Sequence, residues 1–93
     1  MNYLRADYIV EQRPFFSGDL SPQQRTVLTM LITNGALPAC ALKHKCLECG
    51  IGDGDRIARG LCTVNLIMDG RRIRIDRRPY KGKQKEFHVR EGA

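Results

Sequence analysis

The spacing of apolar residues changes near Gly70, and this change constrains the fold of the 93-residue chain more than any other feature. Before Gly70, apolar residues recur every three or four positions, as at Ile57 and Leu61, which is the repeat of an amphipathic helix. After Gly70, apolar and charged residues alternate within 72–76 and again within 86–90, which is the repeat of a strand. The chain is therefore expected to form one small α+β domain, with helices first and a hairpin last.

The first helix has sequence signals at both of its ends. Ser21 is placed to cap the free backbone amides, Pro22 suits the first helical position, and Gln24 completes a capping box. Asn34 and Gly35 end the helix, because both residues tolerate left-handed backbone. Between these signals runs an apolar stripe, which consists of Val27, Leu28, Leu31 and Ile32.

A second helix is predicted from Pro38 to about Cys49. Its apolar positions have spacings of four and three, which fits one buried face, and they are Leu42, Cys46 and Cys49. Residues 50–54 then form a turn, because three glycines in five residues are unfavourable inside a helix.

A third helix is predicted from Arg56 to Asp69, after a cap at Asp53 or Asp55. Its apolar stripe has spacings of four, three and four, and consists of Ile57, Leu61, Val64 and Met68. The opposite side of this helix is polar, and its members are Arg56, Arg59 and Thr63.

The two alternating segments flank a loop at 77–84 that contains Pro79 and Gly82. Alternation on both sides of such a loop predicts a β-hairpin. The loop is long and basic and has one aromatic residue; these side chains are Arg77, Arg78, Tyr80, Lys81 and Lys83.

Positive charge is concentrated in the second part of the chain. The net charge is +6 overall, but residues 1–55 carry a net −1 and residues 56–93 a net +7. Such asymmetry indicates a polyanionic partner, either nucleic acid or an anionic membrane surface. A membrane span is not expected, because the longest apolar runs fall far short of the ~20 residues that a span needs. The protein is expected to be cytoplasmic, or associated with the nucleoid.

Three helices followed by a hairpin with a basic tip resemble, in their order, the winged helix-turn-helix family. Residues 20–28 resemble its first helix, 38–49 and 56–68 resemble its helix-turn-helix pair, and 69–75 resemble the start of its wing. The resemblance implies an α+β winged helix: a three-helix helix-turn-helix core followed by a two-stranded β-hairpin wing, over residues 20–90.

This division leaves an N-terminal arm at 1–19 and a C-terminal tail at 91–93. Phe15 and Phe16 are expected to pack the arm onto the core, and a dimerisation arm is the alternative. The third helix also has an extra apolar edge, which predicts a homodimer contact at Leu66 and Ile67.

The resemblance also implies where the chain would meet DNA. In this family the third helix enters the major groove and the wing reaches the backbone or minor groove. Helix 56–69 would then read base edges with Arg56, Arg59, Thr63 and Asn65. Wing contacts to phosphates are expected from Arg77, Arg78, Tyr80, Lys81 and Lys83, with Arg72 and Arg74 on the adjoining strand. The expected function is a transcriptional regulator that binds double-stranded DNA as a homodimer.

Four cysteines leave several interpretations open. Buried free thiols are favoured, while a CxxC pair at 46–49 makes zinc ligands the alternative, with Cys40, Cys46, Cys49 and Cys62 as the set. Two other functions remain: a protein–protein adaptor for an acidic partner, and a zinc-stabilised RNA-binding module. No catalytic triad, carboxylate pair or phosphate-loop pattern appears, so neither an enzyme nor a cofactor is expected.

Overall fold

A computed structural model of the chain describes residues 20–68 and 70–91. These residues form a mixed α+β fold with three helices and a four-stranded antiparallel sheet. The helices are α1 (Pro22–Asn34), α2 (Ala39–Glu48) and α3 (Gly54–Leu61). The strands are β1 (Ala36–Pro38), β2 (Leu66–Met68), β3 (Arg71–Pro79) and β4 (Lys85–Glu91). The predicted arm at 1–19 and the last two residues of the predicted tail lie outside the described residues.

Helix α1 begins and ends where its sequence signals predict. The Ser21 hydroxyl accepts a hydrogen bond from the Gln24 backbone amide at 3.1 Å, and the Gln24 side-chain oxygen accepts one from the Ser21 amide at 2.8 Å. At the other end, Gly35 has a φ of 75° and donates its amide hydrogen to the Leu31 carbonyl at 2.8 Å. The capping box and the glycine stop are both confirmed.

Helix α2 matches its predicted range to within one residue at each end. It follows directly from the short strand β1, and a turn with Gly50 at a φ of 81° ends it. The Ile51 amide donates to the Cys46 carbonyl at 2.8 Å, which folds the turn back against the helix. The glycine-rich segment 50–54 therefore reverses the chain and leads directly into α3.

The third helix is shorter than predicted, because it ends at Leu61 and not at Asp69. The Thr63 amide and hydroxyl both donate to the Gly60 carbonyl, at 3.1 and 2.7 Å, and so close the last turn. Residues 66–68 then pair with β3, with Leu66 opposite Ile73. A stripe of apolar residues that was interpreted as helical thus belongs partly to a strand, where β-branched residues such as Ile67 are favoured.

The sheet has the strand order β1-β4-β3-β2, with every neighbouring pair antiparallel. The two segments of the predicted hairpin do pair, as β3 and β4 with Ile75 opposite Val89, but they are the inner strands of a four-stranded sheet and not the expected two-stranded wing. Strands β1 and β2 were not predicted. On the other side of β4, Leu37 of β1 lies opposite Phe87, so β4 is an inner strand of the sheet.

The core lies between the three helices and one face of the sheet. Its apolar members are Val27, Leu28, Leu31, Leu37, Leu42, Cys46, Ile51, Ala58, Leu61, Leu66, Ile73, Ile75 and Phe87. Leu66 belongs to this core and is only 2% exposed, which removes it from the predicted dimer edge; Ile67 alone remains exposed there. Within the described part of the chain, no helix is long and apolar enough to cross a membrane.

Candidate nucleic-acid interface

The tip of the β3–β4 hairpin is a defined turn of five residues, 80–84. The Tyr80 amide donates to the Gln84 carbonyl at 3.0 Å, and the Gln84 amide donates to the Lys81 carbonyl at 2.8 Å. Gly82 has a φ of 54°, a left-handed conformation that other residues rarely adopt. The Lys81 ammonium lies 5.4 Å from the centre of the Tyr80 ring, which is within cation–π range. Backbone hydrogen bonds therefore hold the basic tip in one shape.

Three arginines of the hairpin are paired with carboxylates. Arg78 lies 2.6 Å from Glu86, Arg90 lies 2.6 Å from Asp76, and Arg71 pairs with Glu91. Arg78 and Glu86 are also directly opposite each other in the strand register. These pairs neutralise much of the charge along the body of the hairpin.

Four cations near the tip have no ion pair with any described residue. They are Arg77, Lys81, Lys83 and Lys85, and they are called the tip cations below. The nearest carboxylates in sequence are Asp76 and Glu86, and they are engaged by Arg90 and Arg78. Arg77, Lys81 and Lys83 are exposed and Lys85 is half-buried, so all four keep a side chain available to a ligand.

Arg77 and Lys85 lie on the side of the sheet that faces the helices. Side chains alternate along a strand, so Arg77 shares a face with Ile73 and Ile75, which are in the core. Phe87 is opposite Arg77 and Lys85 is opposite Pro79, which makes Arg77 and Lys85 diagonal neighbours. Two like charges thus extend the helix-facing surface beyond the core.

The second region of the candidate interface is a groove between α2 and α3. Its cavity volume is about 330 Å³, and its charged lining residues are Lys43, Asp53, Asp55, Arg56 and Arg59. Arg59 is bound to Asp55, with the guanidinium Nε 3.0 Å from a carboxylate oxygen. Arg56 is exposed and has no ion pair among the described residues. The groove is therefore of mixed charge, and the hairpin tip is the more basic of the two regions.

Three of the predicted DNA contacts are placed differently by the structure. Thr63 lies in the turn after α3, where its hydroxyl donates to the Gly60 carbonyl. Asn65 is 5% exposed and Arg74 is 1% exposed, so neither side chain can reach a base edge or a phosphate. Asn65 was placed by extending the helix too far, and Arg74 by assuming that one face of β3 is open to solvent. In fact both faces of β3 are buried at 73–75.

The remaining predicted contacts are exposed on two separate elements. Arg56 and Arg59 lie on α3, and the others lie on the hairpin: Arg72, Arg77, Arg78, Tyr80, Lys81 and Lys83. Two basic residues in these regions were not among the predicted DNA contacts. Lys85 begins β4 one residue before the alternating segment that was recognised, and Lys43 belongs to α2, which was assigned no contact.

The four cysteines do not assemble the alternative zinc site. None of the four forms a disulfide bond, and no three His, Cys, Asp or Glu side chains in the described ranges are close enough to hold a metal. Cys46 is buried, and burial raises the pKa of its thiol, with Cys49 acting in the same direction. The interpretation as buried thiols holds for Cys46 but is wrong for Cys40 and Cys49, which are exposed.

Comparison with protein-family models, with curated proteins and with solved structures gave no match. The class of the protein is accordingly the one that its own architecture defines, a small α+β protein with a basic β-hairpin.

Proposed function

We propose that this protein binds double-stranded DNA as a small winged helix-turn-helix regulator. The observation that carries the proposal is the set of four tip cations without a local counter-charge. Like charges gathered on and beside one turn repel each other and do not favour folding, so their placement is best explained by an anionic ligand. The phosphate backbone of DNA supplies negative charge at a spacing that several of them can meet together.

The order of the elements supports the same proposal. Helices α2 and α3 are joined by a short reversal, and the β3–β4 hairpin follows them, which is the order of a helix-turn-helix with a wing. In this arrangement α3 would enter the major groove and residues 77–85 would be the wing. Arg77 and α3 lie on the same side of the sheet, because Arg77 shares the strand face that carries Ile75 into the helix-packed core.

The two regions would contribute differently to binding. Contacts from the tip cations to phosphates would provide affinity that falls steeply with salt. Contacts to base edges would come from α3, where Arg56 has no partner among the described residues and can grip guanine with two hydrogen bonds. Arg59 would have to leave Asp55 before it could do the same. Such a protein would act by occupying its site, and a second copy would extend the contact.

The proposal predicts that Arg77→Ala weakens binding to every duplex and reduces its dependence on salt. Loss of one phosphate contact should lower the slope of log affinity against log salt by about one. The measurement is fluorescence anisotropy with a labelled duplex over a series of salt concentrations. Arg71→Ala is the matched control, because it removes the same charge from the same strand roughly 20 Å away.

Two outcomes would contradict the proposal. One is that no duplex binds even at low salt, which would favour an acidic protein as the partner of the tip cations. The other is that Arg71→Ala and Arg77→Ala reduce the slope equally, since binding would then follow the total charge and not the hairpin tip.

A further inference from the structure

A cluster of three sulfur atoms lies on the side of α2 that faces α1. Cys46 is in the last turn of α2, Cys49 follows the end of that helix, and Met30 is on α1. The Cys46 sulfur lies 3.9 Å from the Met30 sulfur. Cys49 follows three residues later, directly after the helix, and it is close enough to Cys46 to contribute to the raised pKa of that thiol. The cluster therefore combines two thiols with one thioether.

The cluster can be reached from solvent through a groove between α1 and α2. This groove has a cavity volume of about 720 Å³, and both Met30 and Cys49 line it. Cys46 is fully buried, and its contact with Met30 places it behind that side chain. An ion entering the groove would meet Cys49 and Met30 first and then Cys46.

We propose that Met30, Cys46 and Cys49 form a site for one monovalent copper ion, Cu(I). Thiolate and thioether are soft ligands, and proteins use them to select Cu(I). The 3.9 Å between the two sulfurs suits a shared metal. Metal–sulfur bonds of about 2.3 Å, as in zinc thiolates, place two ligands of a trigonal ion roughly 4 Å apart.

The surroundings favour a soft monovalent ion over zinc. Zinc sites in proteins normally have four ligands, or three and a water, and no three His, Cys, Asp or Glu side chains converge in the described part of the chain. Cu(I) held by two thiolates has a net charge of −1. The groove offers Arg25 and Lys45 against the single carboxylate of Glu48, a net charge that balances the complex.

Binding requires no electron transfer if copper arrives as Cu(I). The two thiols lose their protons to solvent as the two copper–thiolate bonds form, and the Met30 sulfur adds a third bond without losing a proton. The site is separate from the tip cations, so DNA binding and copper binding can succeed or fail independently.

The test is an anaerobic titration of the protein with Cu(I) against the chromogenic chelator bicinchoninate. The wild-type protein should withdraw one Cu(I) per chain from the chelator. Cys49→Ser should weaken binding at least tenfold, and because Cys49 is exposed this change should leave the fold intact. The matched controls are Cys40→Ser and Cys62→Ser, which remove thiols outside the cluster and should leave the affinity unchanged.

The role of Met30 is tested separately with Met30→Leu, which conserves the volume of the side chain. X-ray absorption at the copper edge should show three sulfur neighbours in the wild type and two in this variant. The proposal is overturned if copper stays with the chelator, if either control weakens binding as much as Cys49→Ser, or if the sulfur count is the same with and without Met30.

Discussion

At the scale of single residues, the closest approach between α2 and α3 depends on a glycine. A Cβ atom added at Gly54 would lie 2.4 Å from the Cys46 sulfur and 2.7 Å from the Cys46 Cβ. Such separations are too short for non-bonded atoms, and the core around Cys46 is filled by neighbouring apolar side chains. The start of α3 therefore rests directly on the buried thiol.

We expect Gly54→Ala to lower the free energy of unfolding by about 1–3 kcal/mol, the usual effect of overpacking a core. Urea denaturation followed by circular dichroism is the measurement. Gly52→Ala is the control, because a Cβ there meets nothing within 4 Å, and it should change stability by only a few tenths of a kcal/mol.

A second substitution tests which atoms of Cys46 cause this loss of stability. Combining Gly54→Ala with Cys46→Ala should recover only part of the loss, because the clash between the two Cβ atoms remains. Complete recovery would show that the sulfur alone sets the spacing, and an unchanged stability in Gly54→Ala would show that the two helices are free to separate.

At the scale of elements, α3 carries an ion pair that competes with its proposed role. Asp55 lies in the first turn of the helix and holds Arg59 one turn later. Exposed pairs of this kind contribute at most about 1 kcal/mol to stability. The same carboxylate would repel a phosphate that approached the groove.

We therefore expect Asp55→Asn to tighten DNA binding several-fold at low salt while lowering stability by about 1 kcal/mol or less. The control is Asp53→Asn, which removes the same charge from the same groove but does not release Arg59. The Asp53 side chain makes no capping hydrogen bond, so this substitution breaks none. Its gain in affinity should be smaller when both variants are compared by anisotropy. Equal gains would assign the effect to net charge and would remove Arg59 from the interface.

The elements also differ in how far the sequence predicts them. Helix α1 is set by contacts within a few residues, so Ser21 and Gly35 mark its ends without reference to the rest of the chain. The position at which α3 ends depends on residues distant in sequence. Met68 fits the spacing of a helical stripe, and only the pairing of 66–68 with β3 shows that this segment is a strand.

The same reasoning explains the parts of the site that were missed. Strand β1 has only three residues and no alternating pattern, and it is a strand because β4 lies beside it. Arg74 follows the alternation of an exposed position, yet burial on both faces of β3 depends on segments distant in sequence. The hairpin tip could be predicted because its turn depends on residues next to each other in sequence. How far each arginine is buried depends on distant segments and could not be predicted.

At the scale of the whole molecule, the charge separation in the sequence becomes a separation in space. Among the described residues, 20–55 hold three basic and three acidic side chains, a net charge of zero, whereas 70–91 hold nine basic and three acidic side chains, a net charge of +6. Ion pairs neutralise Arg71, Arg78 and Arg90 of the hairpin, whereas the tip cations have no ion pair with a described residue. The electrostatic field of the protein would therefore orient it before contact with a polyanion, so that the hairpin tip faces the polyanion.

The position of β4 also decides when the fold can be completed during synthesis. β4 lies between β1 and β3, and its pairing with β1 joins Leu37 to Phe87 across 50 residues of chain. On the ribosome the three helices emerge first, and β1 has no partner among the described strands until β4 has left the exit tunnel. Because pairing over such a distance is slow compared with helix formation, the nascent helices must wait with one side of their core uncovered. Release of the hairpin is thus the step that closes the core of this domain.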